Sequence, residues 1–96
     1  MIEVHLTRNV QKYLKKIKDK ELIEKIKESF QKISEDYTVG ELKSGDLKGI
    51  YCLDFFYNKT NYEIAYIYLD DEIIVLVLMV GTRENFYKEL KKHIKK

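Results

Sequence analysis

Eight consecutive apolar residues, IIVLVLMV at 73–80, constrain this chain more than any other feature. A half-exposed strand alternates apolar and polar positions. A run that is apolar at every position must be covered on both faces. It is also too short for a bilayer, which takes roughly 18 residues. The run therefore predicts a central strand of a sheet with structure packed on either side. Two more strand-like runs precede it, IYCLDFFY at 50–57 and YEIAYIYL at 62–69. Asn58-Lys59-Thr60-Asn61 reads as a four-residue hairpin loop, and Asp70-Asp71 as a second hairpin connection. The three runs form an antiparallel meander.

The covering layers come from the flanks. Ile2, Val4 and Leu6 alternate with Glu3 and His5, a short first strand. Thr7 can cap a helix that places Val10, Tyr13, Leu14 and Ile17 at i, i+3, i+4 and i+7. Asp19 can cap a second helix with Leu22, Ile23, Ile26, Phe30 and Ile33 on one face. The two make a helical hairpin, and the lysines and glutamates on their exposed faces read as solvation. After the meander, Gly81-Thr82-Arg83 leads into a helix over 83–95, with Phe86, Tyr87, Leu90 and Ile94 on one side. The order is β-α-α-β-β-β-α, and the fold class is α+β.

With 96 residues and no proline, repeat or linker, residues 1–96 are expected to form one domain. The N-terminus lacks a charged-then-apolar signal layout. Cys52, the single cysteine, excludes an intrachain disulfide and a multi-cysteine zinc site, and a reducing cytoplasm is the expected compartment. The net charge of +2 is unevenly spread. Residues 1–41 carry nine basic and eight acidic groups, hence +1; residues 42–82 carry three and six, hence −3; residues 83–96 carry six and two, hence +4. A basic C-terminal helix can meet phosphates, or can simply be solvated and favoured by its dipole.

A four-residue loop would pair Tyr57 with Tyr62, Phe55 with Ile64 and Asp54 with Ala65. Cys52, Asp54 and Phe56 would then share a face with Glu63, Ala65 and Ile67. Asp54 and Glu63 would be diagonal neighbours. Such a pair can raise one carboxyl's pKa and make a general acid. Alternatively each carboxylate pairs with a lysine or with Arg83. No convergent histidines accompany them to suggest a metal site.

The run Leu47-Lys48-Gly49-Ile50-Tyr51, the pattern Tyr62-Glu63-Ile64-Ala65-Tyr66, the apolar strand and Gly81-Thr82-Arg83-Glu84-Asn85-Phe86-Tyr87 together resemble the RelE/ParE superfamily of toxins. The resemblance implies a RelE-like fold: an N-terminal strand and helical hairpin packed on an antiparallel meander, with a basic C-terminal helix. It implies a type II toxin–antitoxin toxin. RelE-like members cleave messenger RNA on the ribosome without a metal or other cofactor, through attack of a 2′-hydroxyl on the adjacent phosphate. ParE-like members inhibit gyrase.

By the same resemblance Arg83 matches a phosphate clamp and Tyr87 a nucleotide-orienting tyrosine, both presented by one helical turn. Glu41, just before Leu42-Lys43, matches a glutamate general base. Lys43, Lys48, Lys88, Lys91 and Lys92 would supply charge for RNA. Residue patterns alone leave other roles open: an ion-paired Arg83, a core Tyr87, a loop Glu41. His93 lies too far along the helix for a catalytic match. The chain departs from the RNA-cleaving pattern at Cys52, Asp54 and Glu63, where basic residues are usual. That departure motivates the alternative of a non-catalytic binder with the toxin fold, either a gyrase inhibitor or a degenerate toxin that retains antitoxin binding. On either reading the expected partner is a cognate antitoxin.

Overall fold

The computed structural model describes residues 1–94. Strand β1 (Glu3–Leu6) runs into Thr7, whose hydroxyl accepts from the Val10 amide at 3.4 Å and starts α1 (Arg8–Lys16). Asp19 accepts from the amides of Glu21 and Leu22 at 3.0 and 3.2 Å and starts α2 (Lys20–Glu35). Both caps stand where the sequence placed them, because an N-cap is a local bargain between one side chain and the next turn's free amides. Asp36 ends α2 and caps a 3-10 turn at Tyr37–Val39. A two-residue strand, β2 (Glu41–Leu42), and a second 3-10 turn at Gly45–Leu47 follow. Then come β3 (Tyr51–Tyr57), β4 (Thr60–Leu69), β5 (Ile74–Thr82) and α3 (Phe86–Ile94). Among the described residues no helix is long and apolar enough to cross a membrane.

The sheet order is β1-β5-β4-β3-β2, with β1 parallel to β5 and the other pairs antiparallel. The apolar strand β5 is therefore interior, with α1 packed on one face and α3 on the other. On the hairpin side, Val10, Leu22, Ile26 and Ile33 meet Ile64, Tyr66, Val75, Val77 and Val80. On the other side, Leu47, Ile50, Cys52 and Ala65 meet Phe86 and Leu90. Ile26, Ile33, Ile64 and Val77 are fully buried. Burying each such side chain contributes about 1.5–3 kcal/mol.

Four details differ from the sequence-based expectation. The β3–β4 connection is a two-residue turn, Asn58-Lys59, with φ of 50° and 64°. Positive φ at both positions matches the right-handed twist of a tight hairpin. Thr60 and Asn61 thus belong to β4, and the pairs are Tyr57 with Thr60, Phe55 with Tyr62, Asp54 with Glu63 and Cys52 with Ala65. The register moves by two residues, an even number, so every side chain keeps its expected face. The β4–β5 connection is longer than expected, Asp70 to Ile73. Ile73, the first residue of the apolar run, sits exposed at φ 55° outside the strand.

The third difference is a bulge. Ala65 pairs with Met79 and Tyr66 with Val77, leaving Leu78 without a partner across the ladder. Leu78 and Met79 both turn towards α3, whereas Val77 and Val80 face the helical hairpin. The freed Leu78 carbonyl accepts from Thr7 Oγ1 at 3.4 Å and Asn9 Nδ2 at 3.2 Å. Finally, α3 begins at Phe86 rather than Arg83. The Arg83 amide donates to the Asn61 carbonyl at 2.9 Å, which prolongs the β4–β5 ladder and holds Arg83 out of the helix. Asn85, at φ 61°, makes the corner. Lys95, expected at the helix end, lies outside the described residues.

Charge is also divided differently. Lysine and glutamate mix on α2, but α1 carries Arg8, Lys12, Lys15 and Lys16 with no acid.

Candidate active-site cleft

Helix α3 covers only part of its face of the sheet. Beside it a cleft of about 220 Å³ opens between β2, β3, β4 and the corner before α3. Glu41, Cys52, Asp54, Glu63, Arg83 and Tyr87 line it, with Val39, Gly40 and Leu53. The fold brings these together by three routes. Pairing of Glu41 with Cys52 sets β2 at the rim. Pairing of Asp54 with Glu63 sets two carboxylates side by side on the α3 face. The bulge shifts the alternation of β5, so Gly81 pairs with Glu63 on that face and Arg83, two residues on, follows it.

Gly40 secures the rim. Its amide donates to the Tyr66 hydroxyl at 2.9 Å, and that hydroxyl donates to the Tyr37 carbonyl at 2.8 Å. A Cβ on Gly40 would stand 2.7 Å from the Tyr66 oxygen and 3.0 Å from the Cys52 backbone. Close approach, not an unusual φ, is what demands glycine here.

Glu63 is the centre of the arrangement. It is 3% exposed, with both oxygens engaged. Oε1 accepts from the Tyr87 hydroxyl at 2.9 Å, and Oε2 pairs with Arg83 Nε at 3.3 Å. The carboxylate thus ties the corner to the first turn of α3, and Arg83 and Tyr87 meet through it rather than through a shared helical turn. Arg83 approaches Glu63 through Nε, and its side chain remains 59% exposed, so the guanidinium can still meet a ligand. Asp54, directly opposite, is exposed. Of the two readings the sequence offered for this pair, Glu63 takes the ion-paired one, with Arg83 as its partner.

Lys43 stands at the rim. Its ammonium lies 2.9 Å from Glu41 Oε1 and 5.0 Å from the centroid of the Tyr87 ring, in cation–π reach. The hydrogen bond to Glu41 pushes the lysine's pKa up, and the same bond pulls the Glu41 carboxyl below its ordinary range. Burial pushes the Tyr87 hydroxyl up, and its bond to Glu63 adds to that. Burial first and Glu63 second push the Cys52 thiol up to about 11. At neutral pH the site holds an ionised Glu41, a charged Lys43, a neutral phenol and an unreactive thiol.

The structure thus gathers Arg83, Tyr87, Glu41 and Lys43 in one place. It does not bring the other expected RNA-binding lysines there. Lys91 pairs with Asp46 at 3.6 Å and Lys92 with Glu89 at 3.5 Å, while Lys48 and Lys88 are exposed outside the cleft. His93 borders a separate small recess with Thr7, Asn9 and Leu78. Among the described residues no three His, Cys, Asp or Glu side chains group to hold a metal ion. The residues that sequence reasoning missed are supports: Gly40, Tyr66 and the bulged Leu78. Only Gly40 left a signal, as a glycine immediately before Glu41.

The same architecture recurs in solved structures. A double arginine-to-alanine mutant of E. coli toxin RelE in the free state matches with a TM-score of 0.76 at 20% identity, covering 97% of each chain. The isolated E. coli RelE toxin matches with a TM-score of 0.71 at 20% identity, over 98% of this chain and 99% of that one. The intact E. coli RelBE toxin–antitoxin complex matches with a TM-score of 0.69 at 17% identity, over 84% and 95%. These likenesses establish the fold. No curated protein sequence matches the chain. The profile of the ParE-like toxins of type II bacterial toxin–antitoxin systems matches residues 4–91. Spanning nearly all of the chain, that match makes it a member of this family, a type II toxin of the RelE/ParE kind.

Proposed function

We propose that this toxin is a metal-independent endoribonuclease that cuts messenger RNA on the ribosome, with the cleft as its site. The observation that carries the reading is the convergence of Glu41, Lys43, Arg83 and Tyr87 on one small cleft. In this reading Glu41, kept ionised by Lys43, takes the proton of a 2′-hydroxyl. The 2′-oxygen attacks the adjacent phosphorus, the bond to the 5′-oxygen breaks, and that oxygen takes a proton from solvent. A 2′,3′-cyclic phosphate and a 5′-hydroxyl result. The exposed guanidinium of Arg83 and the Lys43 ammonium balance the charge growing on the phosphate. Tyr87 offers a ring face to the nucleotide, its hydroxyl held by Glu63. Glu63, a carboxylate where basic residues are usual, is buried and held by Tyr87 and Arg83, so its role in this reading is to position those two side chains.

Its partner is a cognate antitoxin; E. coli RelE is known both in the RelBE complex and bound to a RelB peptide, which supports the same kind of partner here. The working compartment is the cytoplasm, and the chain acts as one domain.

Inducible expression with mapping of RNA ends tests the proposal. Growth should stop and transcripts should carry new 5′-hydroxyl ends. Arg83→Ala should abolish both. Unchanged toxicity and an unchanged cleavage pattern in that variant would remove the cleft from the mechanism. A second reading, a non-catalytic binder that inhibits gyrase or has lost its activity, is favoured by one observation: Glu41, Asp54 and Glu63 outnumber Lys43 and Arg83 at the site. Arrest with intact RNA and induced DNA damage would select the gyrase inhibitor, and no arrest at all the degenerate toxin.

A further inference from the structure

The two basic helices use their charges differently. On α3, Lys91 and Lys92 are both paired with carboxylates. On α1, Arg8, Lys12, Lys15 and Lys16 are all exposed, and Lys18 and Lys20 continue the series through the connection to α2. The acid within this stretch, Asp19, is engaged by the α2 cap and by the Tyr57 hydroxyl at 2.8 Å. Among the described residues none of these six cations is in an ion pair.

Geometry makes them one surface. Arg8, Lys12 and Lys16 succeed one another at four-residue spacing, and Lys15 lies beside them. The row is about 12 Å long at 1.5 Å per residue. The opposite side of α1, with Val10, Tyr13 and Leu14, packs on the sheet. Thr7 and Asn9 tether the helix start to the Leu78 carbonyl, so the row is rigidly presented. It lies on the face of the sheet away from the cleft.

Stability does not account for this pattern. Like charges four residues apart repel. Arg8 stands in the first turn, where the helix dipole disfavours a cation. Helix α2 shows the stabilising choice, Glu21, in its own first turn, and α1 has no acid there. The last-turn pair Lys15 and Lys16 suits the dipole, but Arg8 and Lys12 do not.

We propose that α1 and the α1–α2 connection form a docking surface for the phosphate backbone of duplex RNA, separate from the cleft. Unpaired ammonium groups on a rigid row match closely spaced phosphates. The aromatic residue of α1, Tyr13, is half-buried against the sheet, so the row offers no stacking platform for single-stranded bases. Contact by charge and shape suits an RNA helix. A membrane-binding helix would expose apolar residues beside its cations; those of α1 face the sheet. The surface does not depend on the cleft being catalytic.

Titration of the full chain against a labelled RNA duplex of about 16 base pairs, at several salt concentrations, tests this. Lys12→Gln/Lys15→Gln/Lys16→Gln should flatten the slope of log affinity against log salt by roughly one unit per lysine and weaken binding about tenfold or more near 0.1 M salt. Restoring the cations as Lys12→Arg/Lys15→Arg/Lys16→Arg should recover the slope. Lys25→Gln/Lys27→Gln/Lys32→Gln on α2 removes the same charge and should change binding far less. Melting curves confirm that each variant is folded. The proposal fails if the α1 variant keeps the parent slope and affinity. It fails equally if both triple variants lose the same amount, which would mean a net-charge effect. It also fails if α1 directs the chain to phosphatidylserine vesicles but not to RNA.

Discussion

The two faces of the sheet are both covered by helices, yet they are built on different terms. The helical hairpin lays a continuous apolar surface over Ile64, Tyr66, Val75 and Val77. Helix α3 covers less, and where it stops the sheet carries Glu63, a buried carboxylate that needs partners. The first face is stabilised by area removed from water, which tolerates small displacements. The second depends on hydrogen bonds and charge pairs, whose geometry is narrow and whose loss leaves a charge buried. The second face carries the cleft, because α3 leaves part of it uncovered and its polar groups position one another there.

The sharpest way to break this contrast is to damage the apolar face. Ile26→Ala should cost about 2–5 kcal/mol through lost burial and a residual cavity. At several degrees per kcal/mol that lowers the melting temperature by roughly 10 °C or more, measurable by thermal circular dichroism. A drop of only a degree or two would mean that the hairpin is not the main source of stability. Next in size is Glu63→Ala. Removing the carboxylate strands the Tyr87 hydroxyl and frees Arg83, at a cost of about 1–3 kcal/mol. If transcript cleavage were untouched by this variant, the proposed role of Glu63 in holding Arg83 and Tyr87 would be discarded.

Gly40→Ala should have a similar but local effect. The added methyl must displace the Tyr66 hydroxyl or the β2–β3 ladder, costing on the order of 1–3 kcal/mol. Amide exchange should rise around Glu41–Leu42 before it rises in β4 and β5. Uniform loss of protection would contradict a local strut.

The smallest expected effect is on pH dependence. Asp19, through the Tyr57 hydroxyl first and its capping amides, and Asp36, through Thr38, are both held below the usual carboxylate range. Their folded pKa lies below the unfolded one. The stability they confer is therefore present above about pH 4 and is lost as pH falls through the depressed values. Tyr57→Phe removes the largest cause at Asp19, so its melting temperature should fall less steeply in acid than that of the parent. Identical acid limbs would show that Tyr57 does not set the Asp19 carboxyl.

Much of the apolar face was legible because its signals are local. Thr7 and Asp19 announce helix starts, Val10 and Ile26 sit at helical spacing, and the run at 73–80 demands cover on both sides. The hairpin register differs from the sequence-based expectation because Asn58-Lys59 alone makes the turn, yet a shift of two residues leaves every face unchanged. For the candidate site, residue types were visible at Arg83, Tyr87, Glu41 and Lys43. Their relation was not. Helical spacing put Arg83 and Tyr87 on one turn, whereas a backbone bond to Asn61 keeps Arg83 on the ladder.

Periodicity and capping, which act within a few residues, thus determined from sequence alone that a helical hairpin, a meander and a C-terminal helix would form. Only the tertiary structure decided which side Arg83 would take. The unpaired Leu78 reverses the alternation of β5, and the Thr7 and Asn9 side chains bond to its carbonyl from more than sixty residues away. Glu63 likewise stands where the RNA-cleaving pattern has a basic residue. Burial beneath Tyr87 and Arg83 makes it a brace instead, because a carboxylate's effect on a ligand depends on which cations already hold it.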